Sequence, residues 1–365
     1  MRTPRSALGL LIAAAFVVSG CTEKKDEKKP ADPAEVKTDD KKPEGPKPEQ
    51  PAEVAEAGSH PECIAPRSET PVEAFEAGGR SYERKGSTLS LKTSDPDDEF
   101  VIGQLSDVKD FTPENKANVK VALKWFAEQK VDAIAVTGDL GETQESIEQV
   151  LRTVAEPGVP VLAIIGNREC RDHFAKALDV VSKDHKNVVN MNQIRVFNAD
   201  DVSVVSLPGY YNKSYIHCSE GCEYSTADVD ALDQLLPDAT GPVNVLISHG
   251  PPKMSGAKGL DRIHEEVNVG DPKLAEYLKN GKLPFGLFGN IQEAGGYASD
   301  LSGDKRIDQK VFVDSLYLNP GPIDSVRWQM LDGTESLGMA GLLRIKGKQG
   351  SYEIYRIRPG EAKVE

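Results

Sequence analysis

The chain has 365 residues, 38% of them hydrophobic and 28% charged, with a formal charge of −14 at pH 7. That length and apolar content allow one substantial core, and the acidic surface would repel a phosphodiester backbone, which argues against nucleic acid as a partner. Arg2 and Arg5, an apolar stretch over residues 7–18 and the small pair Ser19-Gly20 before Cys21 form an export signal over residues 1–20. The apolar stretch, about 12 residues, is too short for a bilayer span of about 20.

The Ser19-Gly20-Cys21 end resembles a bacterial lipobox, which implies a diacylglyceryl thioether on Cys21 and a protein held on a membrane of the cell envelope, periplasmic or at the outer surface. An ordinary cleaved signal is the alternative, and both imply export. Residues 21–58, rich in Lys, Glu, Asp, Pro and Ala, lack the apolar side chains that would offset ordering and are expected to form a disordered tether. Residues 59–97 are expected to form an N-terminal extension with a hairpin around Gly78-Gly79. The main domain is then expected over 98–365.

Within it, 100–105 reads as a strand and 113–129 as a helix, with Val119, Leu123 and Phe126 on one face and Pro113 in the first turn. Strands at 132–137 and 159–165 with a helix at 143–155 complete a β-α-β-α-β run, which implies a parallel sheet with right-handed crossovers. A helix over 172–182 and antiparallel strands at 194–197 and 202–207 follow. Further strands are expected at 243–247, 285–288 and 311–318, a helix at 272–279, and a terminal hairpin from 342–345 and 352–357.

Five polar motifs close apolar runs: Ser106-Asp107-Val108-Lys109, Gly138-Asp139-Leu140-Gly141-Glu142, Gly166-Asn167-Arg168-Glu169, Ser248-His249-Gly250 and Gly289-Asn290-Ile291-Gln292-Glu293. Each would sit at the carboxyl end of a strand, where open α/β sheets gather ligands. Their order resembles the calcineurin-like metallophosphoesterases, whose pattern is D-x-H, G-D, G-N-H-D/E, H and G-H-x-H. The resemblance covers roughly residues 98–346, Asn319-Pro320-Gly321 included, and implies a four-layer αββα sandwich of two mixed sheets flanked by helices.

The resemblance also implies a site for two divalent cations sharing Asp139. The first would use Asp107, Lys109, Asp139 and Gln292. Lysine brings a cation where imidazole should give a lone pair, so this half is expected to be degenerate, with the Lys109 ammonium a counter-ion between Asp107 and Asp139. The second half, Asp139, Asn167, His249 and Asn290, could hold a single weak Mg, Mn or Ca ion, oxygen-rich donors disfavouring zinc. An empty site held by hydrogen bonds is the alternative. Arg168 stands where the family has a proton-handling histidine. Guanidinium keeps its proton, so its expected role is phosphate contact, with an ion pair to a nearby acid as the plain alternative.

Asp110, Asp172 and His173 are weaker substitutes, and His60, His185, His217 and His264 show no ligand spacing. In an oxidising compartment Cys218 and Cys222 could close a local disulfide, leaving Cys63 and Cys170 as a second pair. Four cysteines allow three connectivities, and the other two stay open. A metal site of Cys218, Cys222 and His217 lacks a second ligand pair. The expected function is a membrane-anchored, degenerate phosphoesterase that binds a phosphate-containing or anionic ligand. The alternatives are an active single-metal phosphomonoesterase or diesterase, and an envelope scaffold that binds a protein.

Overall fold

The computed structural model describes residues 60–94 and 97–364. The export signal, Cys21 and the tether lie outside the described residues. Among those described, no helix is long and apolar enough to cross a membrane.

In chain order the elements are β1 (Val72–Ala77), β2 (Arg80–Lys85), β3 (Thr88–Leu91), β4 (Glu99–Leu105), α1 (Pro113–Gln129), β5 (Ala133–Thr137), α2 (Gln144–Ala155), β6 (Val161–Ile164), α3 (Arg171–Asp184), β7 (Val188–Asn190), β8 (Val196–Asn198) and β9 (Ser203–Leu207). Then come α4 (Thr226–Asp230), α5 (Leu232–Leu235), β10 (Asn244–Ser248), α6 (Pro272–Leu278), β11 (Phe285–Leu287), β12 (Tyr297–Ser299), β13 (Arg306–Ile307), β14 (Leu316–Asn319), β15 (Trp328–Gln329), β16 (Glu335–Ser336), β17 (Met339–Lys346) and β18 (Gln349–Arg356). One sheet runs β18-β17-β4-β5-β6-β7, and a larger one runs β1-β2-β3-β8-β9-β10-β11-β14-β12-β13. The central strands of both are parallel: β4 to β7 in the first, and β9, β10, β11 and β14 in the second. β15 and β16 form a separate small hairpin.

The layering follows from the period-2 alternation of strand side chains. Ala133 and Ala135 of β5, Val204 of β9, and Val245 and Ile247 of β10 belong to one apolar cluster that also takes in Phe285 and Leu343, the core between the sheets. Their neighbours Ile134, Val136, Val205 and Leu246 point outward into a second cluster, shared with Phe126, Val150 and Phe174 of α1 to α3 and with Leu232, Leu274 and Leu278 of α4 to α6. Helices thus cover both outer faces, which gives the four-layer αββα sandwich.

Local signals explain the element starts. Thr112 caps α1 by accepting from the Asn115 amide with Pro113 in the first turn, and Ser225 and Asp228 form a reciprocal capping box on α4. Two expectations are corrected. Residues 311–315 are not strand: Val311 and Phe312 are exposed, and β14 is confined to Leu316–Asn319. The bridges are Cys63–Cys222 and Cys170–Cys218, not Cys218–Cys222. Cys218 sits in the turn that Gly221 closes by donating to the Cys218 carbonyl, opposite Cys170 at the start of α3, whereas Cys222 lies in the apolar core beside Cys63.

Candidate metal and phosphate site

The strand-end motifs of both sheets meet at one rim. Gly166 shows how tightly: a Cβ there would run into the Asp139 carboxylate, and one on Gly138, at φ 89°, would meet the His249 ring. Asp107, Lys109, Asp139 and Asn290 all take left-handed φ values of 57–63°, which Asp and Asn tolerate better than Lys does. Backbone strain gathered at four motif residues is the pattern of a functional site.

Around Asp107 the groups are donors. Its carboxylate accepts from the Ser106 hydroxyl (2.6 Å), the Asn290 amide N–H (3.0 Å) and Gln292 Nε2 (2.6 Å). Burial raises its pKa, but the nearby His249 and Lys109 charges and these hydrogen bonds outweigh that and hold it below the usual range. Lys109 does not lie as a counter-ion between Asp107 and Asp139. Its Nζ binds Asp324 Oδ2 at 2.9 Å and stands 4.3 Å from the centre of the Trp328 ring, while Trp328 Nε1 donates to Asp324 Oδ1 at 3.1 Å. A buried carboxylate and an aromatic face together offer the ammonium more than an Asp107 already satisfied by neutral donors. The first half therefore does not fit a divalent cation: one ligand position is an ammonium turned elsewhere, and another is an amide spent on Asp107.

The second half is built the other way. His249 Nδ1 lies 2.7 Å from the Thr137 carbonyl, so that nitrogen carries the proton, and Nε2 faces Asn167 Oδ1 at 2.9 Å and Asp139 Oδ1 at 3.3 Å. The Asn167 amide is oriented by its Nδ2, which donates to the Tyr215 carbonyl at 2.7 Å, leaving Oδ1 to point at the imidazole. Nε2 and two oxygens converge, which is tolerable if Nε2 is protonated or a cation sits among them. Burial disfavours the imidazolium, but Asp139 and Asp107 outweigh it and raise His249 above its ordinary value. Burial and the Asp107 charge raise Asp139, against the pull of His249 and Arg168. Asp107, Asp139 and His249 present ligand atoms within 4.8 Å of one another. Asp139, Asn167 and His249 thus fit one hard divalent cation, with Asp107 beside them. Asn290 is less free, because its Nδ2 donates to the Tyr210 hydroxyl at 2.8 Å.

Arg168 leans over this half. Its backbone N–H donates to Asp139 Oδ1 at 3.1 Å, its Nε lies 3.5 Å from Asp139 Oδ2, and Nη1 binds Glu142 at 2.7 Å. Beneath it, buried Glu169 joins the two ligand loops by accepting from the Leu140 and Gly166 amides. Burial, and then the Asp139 charge, raises Glu169 above the ordinary carboxylate range. The cleft above, about 270 Å³, is lined by Asp139, Asn167, Arg168, Asn290 and Gln292 together with Tyr210, Tyr215, His217 and Ile263.

The weaker candidates stay outside. Asp172 pairs with Lys176, and His173 Nδ1 contacts the Glu142 carbonyl on the surface. Asp110 accepts from the Phe111 amide, His264 contacts the Gln329 carbonyl, and His185 ends α3. His217 does reach the cleft. Tyr210 follows β9 as the other motifs follow their strands, so the strand-end rule could have marked it; Tyr215, Asp324 and Trp328 carry no such signal.

The calcineurin-like phosphoesterase family model matches residues 100–289. Similar solved structures include the protein TT1561 of Thermus thermophilus, 16% identical over 71% of this chain and 99% of that one with a TM-score of 0.48. A dimetal phosphatase from Danio rerio is 11% identical over 71% and 98% with a TM-score of 0.43. A phosphatase from Mycoplasma pneumoniae is 11% identical over 72% and 94% with a TM-score of 0.43. No curated protein matches the sequence. With more than half of its length inside the family match, the chain belongs to the calcineurin-like phosphoesterases.

Proposed function

We propose that the protein is an exported, lipid-anchored member of the family that binds a phosphate-bearing small molecule at a centre holding one divalent cation, and that it hydrolyses phosphate esters poorly. The observation that carries this is the convergence of His249 Nε2, Asn167 Oδ1 and Asp139 Oδ1, each turned inward by a fixed partner, beside an Asp107 satisfied by neutral donors. A cation bound there would act as a Lewis acid toward a phosphoryl oxygen. Arg168 supplies a fork suited to a second phosphoryl oxygen. None of Arg168, Asn290 and Gln292 can exchange a proton near pH 7, so a contribution of about 10²- to 10⁴-fold from acid–base catalysis is missing. Asp139 and Glu293 line the cleft against the single cationic Arg168, with buried Asp107 behind them, so anion binding is expected to require the cation.

Calorimetry with Mn²⁺ and then inorganic phosphate tests the reading. One Mn²⁺ per chain, phosphate binding that depends on it and slow turnover of p-nitrophenyl phosphate are expected. Two tightly held cations with brisk turnover would overturn it in favour of an active hydrolase, and binding of neither would leave a scaffold. Export and anchoring are supported by residues 1–21 and by the two disulfides. They predict a lipid-modified Cys21 by mass spectrometry and release from membranes in Cys21→Ser.

A further inference from the structure

We infer that the ligand is a phosphate monoester whose esterified group is a single aromatic ring, held by Tyr215. This deepens the phosphate-binding reading and rests on it. Buried Asp139 and Asn167 form the depth of the cleft, while nearer solvent it is lined by Tyr215, Ile263 and Val269. Tyr215 is 57% exposed, and among the described residues no aromatic ring packs on it, whereas the neighbouring Tyr210 and Tyr211 rings pack on each other.

The backbone that carries it is nonetheless anchored. The Tyr215 carbonyl holds the Asn167 amide, the His217 N–H donates to the Asn167 carbonyl at 2.8 Å, and the Cys170–Cys218 disulfide ties the same stretch to the start of α3. The aliphatic part of the lining is braced too: the Ile263 N–H bonds the Val267 carbonyl at 2.9 Å, and the Tyr211 hydroxyl bonds the Val269 carbonyl at 2.6 Å. An exposed ring carried on an anchored backbone and two aliphatic side chains left partly in water are surfaces that an apolar ligand group would cover.

Size narrows the class. The cleft volume of about 270 Å³ lies just below the ~300–1,000 Å³ of drug-sized sites, enough to hold a phosphoryl group and roughly one ring between its walls. A flat ring can stack on Tyr215 and touch Ile263 and Val269 at its other surfaces, which a flexible alkyl group of equal volume does less well.

The experiment measures binding of inorganic, methyl, hexyl and phenyl phosphate to the full chain saturated with Mn²⁺, with Tyr215→Ala and Ile263→Ser beside it. Phenyl phosphate is expected to bind about tenfold more tightly than methyl phosphate. Tyr215→Ala should lower that ratio about fivefold, and Ile263→Ser about threefold. Tyr215 is already exposed, so its variant should fold, and the ratio is insensitive to any general loss of phosphate affinity. Equal binding of phenyl and methyl phosphate, hexyl phosphate matching phenyl phosphate, or an unchanged ratio in Tyr215→Ala would overturn the inference while leaving the phosphate site standing. Failure of inorganic phosphate to bind would remove both.

Discussion

Around Asp107 the carboxylate oxygens meet N–H or O–H groups, whereas around His249 an imidazole nitrogen and two oxygens point at one another. Both halves sit at strand ends, and in both a position that the family pattern gives to histidine holds another residue, Lys109 and Gln292 in the first and Asn290 in the second. In the first, the nearby His249 and Lys109 charges and dipoles from Ser106, Asn290 and Gln292 stabilise the Asp107 carboxylate, and the Lys109 ammonium itself binds Asp324. In the second, the geometry still asks for a positive charge. The difference teaches that a buried carboxylate whose oxygens meet donors is self-sufficient, whereas acceptors that face one another call for a proton or a cation.

The largest expected effect breaks the substitute arrangement of the first half. Asp324→Asn strands the Lys109 ammonium in a mostly buried position, and denaturant unfolding should register a loss of about 3 kcal/mol; a loss under about 1 kcal/mol would mean that Lys109 can turn back to Asp107. Next comes the same metal titration applied to both halves. His249→Ala should weaken Mn²⁺ binding about a hundredfold or more, while Gln292→Ala should change it less than about threefold and cost about 1.5–3 kcal/mol of stability. Equal losses would erase the contrast. Arg168→Met should raise Mn²⁺ affinity about fivefold by removing a competing cation beside Asp139, and should weaken phosphate in parallel.

Acidity separates the halves by sign. Asp107 has a lowered folded pKa, so its contribution is present above its unfolded value and is lost as pH falls into the acid range. His249 has a raised folded pKa, so in metal-free protein its contribution is present below about 6.5 and is lost as pH rises through the higher folded value. Thermal melts in EDTA should therefore decline above that range, and His249→Ala should flatten the decline. The smallest effect is the control: Lys176→Ala removes the Asp172 pair on the exposed face of α3, should cost under about 0.5 kcal/mol and should leave metal binding unchanged.

Much of this was legible in the sequence because it is encoded locally. The residue at the end of each apolar run marked the rim, and Thr112, Pro113 and the spacing of Val119, Leu123 and Phe126 gave α1 its observed bounds. What stayed hidden depends on residues that meet only in three dimensions. Lys109 finds Asp324 across 215 positions, and the cysteine pairing needs Cys63 and Cys222 to share a core. Short elements such as β12, α4 and α5 were missed because three to five residues carry too little periodicity to register.

The Cys63–Cys222 bridge joins the first described turn to a point 159 residues further on. Tension applied through the leading segment would enter the domain at Cys63 and pass through sulfur to Cys222, so it need not peel β1 from its sheet. A pull on the chain ahead of Cys63 would thus be delivered next to the Tyr210–Cys222 stretch that walls the cleft. Any mechanical load entering there would be felt at the mouth of the cleft before it reached β1.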